Sequence, residues 1–400
     1  MVMLDLFDPT FRQDPYPTYA RLRAETPIHR TGAGPWILSR YAETSFVLTD
    51  PGFGTRAPEG REGQLPAEHP LVRLAQAMLF RDPPDHTRLR ALVSQAFTRR
   101  AVESLVPRIG SMTRELADAI ELQAEVDLVQ AIAYPLPIAV ICELLAIPVE
   151  DREQFHDWSR QLSGVVDLVS DEKIIARGAQ AAAFFLGYFD ELVPRRWAEP
   201  GDDLLSALVA AEDEDGRLSH DELLSTCVQL VFGGHETTQN LISNGMFALL
   251  RAPSQLSALR EDPSLIRGAI EEMLRFDGPA QLAARWAGAD VEIAGELVRE
   301  GELVLCLIGS ANRDGAAFEH PDTFDVSRSD IKHLTFGAGI HFCLGAPLAR
   351  LEARIVVDHL VRRFPGMMLK TQTPEYRPIL ALRGLAELPV QVSFLRRPSA

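Results

Sequence analysis

The feature that most constrains this chain is FGAGIHFCLG at 336–345, where a lone cysteine, Cys343, ends a loop with three glycines and leads into the amphipathic pattern LGAPLARLEARIVVDHLVRRF. Pro347 falls in the opening turn of that pattern, where a missing N–H costs little. Cys343 therefore stands at a helix N-terminus, and unpaired amides with the macrodipole favour the thiolate, the metal-binding form of the sulfur. One thiolate does not complete a zinc site, but it can give one axial bond to an iron whose in-plane ligands come from a porphyrin. Gly337 and Gly339 then let the loop turn tightly and lie against a flat macrocycle, while Phe336 covers the sulfur. The competing reading is a buried free thiol on a glycine-rich turn.

The rest of the composition narrows the class. At 400 residues and 46% hydrophobic content the chain can bury a large core, and with no Gly/Ser- or Pro-rich linker and no internal repeat, a single unit over 1–400 is expected. The net charge of -16 and the absence of a Lys/Arg run speak against a nucleic-acid partner. The N-terminal MVMLDLFDPTF lacks the pattern of a signal, and the most apolar window, YPLPIAVICELLAIP, is too short to span a bilayer, so no membrane partner and a cytoplasmic location are expected. The cysteines Cys142, Cys227, Cys306 and Cys343 are far apart, which argues against a disulfide framework or a structural zinc site.

Helical periodicity dominates, over 86–97, 102–120, 128–145 and 176–192, while PWILSR, DVEIAGELV, ELVLCLI and LPVQVSF read as strands. The fold class is mainly α with a minor β region. The longest pattern starts at a capping box, SHDE at 219–222, and runs to Leu250 before Pro253, a rod of roughly 45 Å. Gly233 and Gly234 interrupt it at a cost of about 1 kcal/mol each relative to alanine, which close approach of another group to the backbone would explain.

The loop Phe336, Gly337, Gly339, His341, Cys343, Gly345 resembles the haem-binding loop of the cytochrome P450 family, and further segments match in order from about residue 8 to 395. The resemblance implies the P450 fold, with a long central helix over a buried haem b (iron protoporphyrin IX) ligated by Cys343. It implies that His86 and Arg90 of DPPDHTRLR, Arg285 of ARWAGADVEI and His341 hold the haem propionates. Glu272 and Arg275 of EEMLR match the buried Glu-x-x-Arg pair, with Arg328 as candidate third member. GGHETT resembles the oxygen-binding motif: Gly233 and Gly234 leave room for dioxygen, and Glu236 and Thr237 manage protons. A zinc-protease reading of HETTQ fails for want of a second histidine.

The activity implied is a monooxygenase that hydroxylates or epoxidises a moderately hydrophobic small molecule, as in bacterial secondary metabolism. Because no flavin or iron–sulfur motif is present, electrons from NAD(P)H would arrive through a ferredoxin and ferredoxin reductase, steered by a basic patch of Arg99, Arg100, Arg350, Arg354, Arg362 and Arg363. A monomer is expected. By family position the substrate pocket draws on 61–79, 162–169, Val231, Phe232, 279–284 with Leu282 and Ala283, and 380–382 with Ala381. The alternatives are a haem-thiolate ligand binder or sensor without turnover, a peroxygenase, and a coupling or desaturating oxidase.

Overall fold

The computed structural model describes residues 8–30, 32, 34–58, 65–165, 167, 172–213 and 218–392. Its axis is the helix His220–Leu250, whose capping box forms as the sequence predicts: Ser219 Oγ accepts from Glu222 N–H, and Glu222 accepts from Ser219 N–H at 2.8 Å. The rod is continuous through both glycines. Its first half, with Leu223, Leu224, Val228 and Val231, packs into one apolar core formed with the helices Asp85–Ala96, Pro135–Leu144 and Glu172–Ala198. The second half, with Leu241, Ile242, Met246 and Phe247, packs into another formed with Val106–Glu121, Ile266–Asp277 and Ala346–Arg363. Between the two cores lies a buried polar stretch, His235, Glu236, Thr238, Gln239 and Asn240.

Two predicted helices are broken by their prolines. The 102–120 pattern restarts as Val106–Glu121 with Pro107 in its first turn. The 128–145 pattern opens with a wide turn, Val129–Ala133, closed by Tyr134 N–H to Val129 C=O, and restarts as Pro135–Leu144 because Pro135 and Pro137 have no N–H to continue the ladder. The minor β region holds a five-stranded sheet in the order Ile28–Arg30, Trp36–Leu38, Leu303–Cys306, Ala283–Ala287, Phe53–Gly54. Trp36–Leu38 runs parallel to Leu303–Cys306, and Arg285 pairs with Val304 in the antiparallel neighbour. A smaller sheet joins Glu125–Asp127, Pro389–Gln391 and Met368–Leu369, and Val291–Ile293 forms a hairpin with Glu296–Val298. Among the described residues no helix is long and apolar enough to cross a membrane.

A buried carboxylate ties the chain's two ends to the helix Ile266–Asp277. Asp277 accepts from Tyr16 Oη at 2.6 Å, Tyr376 Oη at 2.8 Å and Arg383 Nε at 2.8 Å. Burial alone would raise its pKa, but Arg383, Arg313 and the two phenols hold it below the usual carboxylate range. A depressed folded pKa contributes stability that is complete above the unfolded value and is lost as pH falls through the folded one. Replacing Asp277 by Asn strands the Arg383 charge, so D277N is expected to lose roughly 3–5 kcal/mol near neutral pH. Chemical denaturation as a function of pH checks this: the wild-type acid limb below about pH 4 flattens in the variant.

Candidate active site

The loop at 336–345 takes the shape its glycines permit. Gly337 and Gly339 have φ of +71° and +67°, Gly337 N–H donates to Leu334 C=O at 2.8 Å, and Cys343 N–H closes the loop on Phe336 C=O at 2.9 Å. A Cβ on Gly339 would fall 2.5 Å from Leu48 C=O and 3.1 Å from Thr49 Cα, so this glycine also packs against the end of the helix Tyr41–Thr49. A Cβ on Gly345 would make only ordinary contact with the sulfur, at 3.9 Å.

At the sulfur, burial works against the expected effect of the helix end. Burial is the largest influence on Cys343 and pushes the thiol up, against hydrogen bonds from Gly345 and Ala346 N–H and the charges of Arg90 and Arg350, which pull it down. The helix end and the two cations oppose desolvation but do not outweigh it. Their alignment on the sulfur is nevertheless what a thiolate needs once a metal takes the proton's place.

Next to the loop is a buried cluster with too little negative charge. The rings of His86 and His341 are 4.2 Å apart. His86 Nδ1 and His341 Nε2 have no hydrogen-bond partner among the described residues, the latter lying 3.6 Å from Asp82 Oδ1. Burial, then the neighbouring His341 and Arg90, push His86 down to about 4. Arg285 is buried and donates to Ala284 C=O at 2.9 Å, and neither it nor Arg90 makes an ion pair among the described residues. Asp82 is occupied by Thr55 and Arg56 N–H at 2.9 and 3.0 Å; burial would raise it, but His341 and these amides keep its carboxyl below the usual range. Buried donors and cations without a counter-anion are costly. The two carboxylates of a porphyrin would satisfy them, so the residues fit the group.

On the long helix, the two glycines have different surroundings. A Cβ on Gly233 would meet nothing within 4 Å, whereas one on Gly234 would lie 3.1 Å from Ile141 Cδ1. Gly233 thus leaves a helix face open and Gly234 serves packing against Pro135–Leu144. Thr237, one turn beyond Gly233, donates to Gly233 C=O at 2.7 Å. Glu236 is only 2% exposed; its Oε1 lies 2.6 Å from Arg377 Nη1, and Arg377 also donates to Asn240 Oδ1 at 2.6 Å. Burial raises Glu236 above the usual carboxylate range despite Arg377 and Arg160. Behind it is a cavity of ≈ 70 Å³ lined by Gln130, Tyr134, Arg160, His235, Glu236 and Arg377 among others. That is room for water with polar partners on all sides. Arg377 has no signal in the sequence, since nothing in the spacing of 376–385 points to the helix.

The buried pair forms with its predicted third member. Glu272 and Arg275, both wholly buried, bond at 2.7 and 2.8 Å, and Arg328 Nε reaches Glu272 Oε2 at 3.1 Å. The pocket residues are only partly brought together. Leu282, Ala283 and Ala381 adjoin, through Gln281 N–H donating to Ala381 C=O at 3.0 Å. Val231 is fully buried in the helical core, and Phe232 packs against that core, so Val231 is no pocket wall. Of the expected pocket segments, residues 61–64, 166, 168 and 169 lie outside the described residues. The basic patch is also thinner than expected. Arg350 pairs with Glu271, Arg362 with Asp358, and Arg363 with Asp118 and Glu121. Arg100 and Arg354 make no ion pair among the described residues, and the Arg99 side chain lies outside them.

The family model described as Cytochrome P450 matches residues 53–394. This chain is a cytochrome P450. It is 42% identical over 397 residues to the vitamin D(3) 25-hydroxylase of Pseudonocardia autotrophica, covering 96% of each chain. It is 41% identical over 402 residues to the 6-deoxyerythronolide B hydroxylase of Saccharopolyspora erythraea, covering 97% of this chain and 98% of that one. Among solved structures, P450BioI in complex with hexadec-9Z-enoic acid ligated acyl carrier protein superposes with a TM-score of 0.91 at 39% identity, covering 96% and 99%. The P450 fold is thereby established, as is the family's monooxygenase activity, with the haem and dioxygen it entails.

The glycine geometry of this P450 makes opposite predictions at two positions. G339A forces a Cβ into Leu48 at a left-handed φ and is expected to lose about 1–3 kcal/mol. G233A has open space and a helical backbone, so it is expected to gain about 0.5–1 kcal/mol in the cofactor-free protein. Denaturant midpoints of the two variants without haem check both signs.

Proposed function

We propose that this P450 hydroxylates or epoxidises a moderately hydrophobic small organic molecule, with Cys343 as the residue that would hold its haem iron. The observation that carries the reading is the Cys343 sulfur, aligned with two amides and Arg90, beside the counter-ion-poor cluster of His86, Arg285 and His341. Haem, when bound, supplies the activation of dioxygen and the transfer of one oxygen atom to substrate, the other leaving as water. Cys343 gives up its proton on ligation, and Gly345, Ala346 and Arg90 stabilise the charge that remains on sulfur. His86, Arg90, Arg285 and His341 would hold the two propionates.

Protons are the task of the long helix. Glu236, raised by burial, is suited to hold a proton and exchange it with water in the cavity behind it, while Arg377 orients the carboxyl. The Thr237 hydroxyl, donating to Gly233 C=O, keeps its lone pairs free to accept a hydrogen bond, and the missing side chain at Gly233 leaves space beside it. A largely apolar substrate suits Phe232, Leu282, Ala283 and Ala381, and the relatives' names point the same way: vitamin D(3), 6-deoxyerythronolide B and, in the solved neighbour, a hexadecenoic acyl chain.

The test begins with carbon monoxide on the reduced, haem-loaded protein. The wild type should show the red-shifted Soret band of a thiolate-ligated carbonyl complex and C343S should not; the band of a histidine-ligated haem in the wild type sinks the assignment. A substrate found by its shift of the Soret band then reports turnover, in which E236Q should slow product formation about 100-fold and T237A should lower the product formed per NAD(P)H consumed. A wild type that binds such a ligand yet consumes no reductant would be a sensor instead.

For electrons we propose a ferredoxin and ferredoxin reductase, with Arg100 and Arg354 as cations of the expected patch that make no ion pair among the described residues. Turnover supported by an acidic ferredoxin should fall as salt rises from low to physiological strength, because exposed charges are screened over about 8 Å there. Salt-independent turnover would remove the electrostatic part of this proposal.

A further inference from the structure

A second constellation lies on the flank of the cysteine loop, and of its residues only Arg350 has been met so far, through its charge on the sulfur. Arg350, in the second turn of Ala346–Arg363, lays its guanidinium over the Phe336 ring, 4.5 Å from the centroid. It is not free to move. Its Nε and Nη2 donate to Glu271 Oε1 and Oε2 at 2.7 and 2.8 Å, a bidentate grip that fixes the plane of the guanidinium as well as its position. His333 braces the same carboxylate, with Nε2 3.2 Å from Glu271 Oε2. Thr335 N–H donates to His333 Nδ1 at 3.2 Å, so Nδ1 is the acceptor and the ring proton sits on Nε2, pointing at Glu271. The imidazole is 5.6 Å from Phe336 as well, and Phe342 closes on the same ring at 6.2 Å, edge-on.

The carboxylate is ionised. Burial would raise Glu271, but its bonds to His333 and Arg350 bring it down to about 2. Arg350 and Glu271 thus form a charge-balanced pair next to the sulfur, and the field Arg350 exerts on Cys343 is partly cancelled by its own partner. Phe336 is bound to Cys343 through the backbone, its C=O accepting from Cys343 N–H. Holding the phenylalanine therefore also holds the loop segment that presents the sulfur.

We propose that Glu271, Arg350 and His333 are positioning residues that clamp Phe336, and with it the backbone that presents Cys343, and set a near-neutral local field at the sulfur. The proposal rests on Cys343 as the haem ligand. It has two separable parts, an electrostatic one and a mechanical one, and a merely structural role would show neither in the manner described next.

The experiment measures the iron midpoint potential and the time course of the thiolate-type carbonyl band in the haem-loaded protein. R350Q leaves Glu271 uncompensated and is expected to shift the potential negative; E271Q leaves Arg350 uncompensated and is expected to shift it positive. The double variant E271Q/R350Q should return towards the wild-type potential while losing the thiolate band several-fold faster. R350K keeps the charge but not the planar stack, so its potential should stay near wild type and its band should decay faster. Shifts of the same sign in R350Q and E271Q overturn the electrostatic part, and wild-type band stability in both R350K and the double variant overturns the mechanical part. The wild-type control separates this from the ligand assignment: a wild type without the thiolate band refutes Cys343 as ligand and the clamp with it, whereas a normal wild type with indifferent variants refutes the clamp alone.

Discussion

The interaction on which the rest of the structure depends is the buried bond between Glu272 and Arg275. Two opposite charges taken wholly out of water are tolerable only if every remaining donor and acceptor is used, and here they are. Arg275 also donates to the carbonyls of Asn312, Pro321 and Thr323, and Glu272 accepts from Asp325 N–H and from Arg328. One turn of helix thereby pins the irregular segment from 312 to 328, which contains no long element of its own. The same helix reaches the cysteine loop: Leu274 C=O accepts from Thr335 Oγ1, and Asn312 bonds both Leu334 N–H and Thr335 Oγ1. The loop is placed by a polar scaffold because glycine-rich backbone has few side chains with which to place itself.

What the sequence made legible was local. The rod from His220 to Leu250 could be read because its capping box and its 3.6-residue period lie within the segment, and the cysteine loop because positive φ at Gly337 and Gly339 is a property of those residues. What it left hidden was set by distant neighbours. The helix end argued for a thiolate, but the desolvation that works against it at Cys343 comes from tertiary packing. Gly339 was legible as a turn but not as the residue that admits Leu48 C=O, and Arg350 looked like an exposed cation because Glu271, its partner, is 79 positions away. The same holds for Arg377, whose contacts with Glu236 and Asn240 no spacing rule anticipates.

The long helix is unusual in being polar where it is most buried. Apolar packing on one core ends at Val231 and begins on the other at Leu241, and the stretch between them buries an acid, an amide pair, a histidine and a threonine. Such a belt is unfavourable for stability, and in a helix chosen only to hold two cores together it would be replaced by leucine and alanine. It separates two environments instead. Gly233 and Thr237 occupy an open face, while His235 and Gln239, also one turn apart, border the water-sized cavity with Arg160 and Arg377. Glu236 lies between the two faces, the one acid of the belt, its pKa raised by burial and held back by the Arg377 guanidinium 2.6 Å away.

The cysteine loop and the cluster of His86, Arg285 and His341 are two expressions of one requirement. His341 and Cys343 are two residues apart, so a short piece of backbone presents an imidazole that wants an anion and a sulfur that wants a cation. Each is unfavourable alone: the sulfur is desolvated without a metal, and His86, His341 and Arg285 are desolvated without carboxylates. Separate small ions would have to meet both needs independently, each with its own loss of freedom on binding. A rigid plate with a metal at its centre and carboxylates on its rim meets them in a single event, and the free energy released by satisfying both sites at once stabilises the folded chain by linkage.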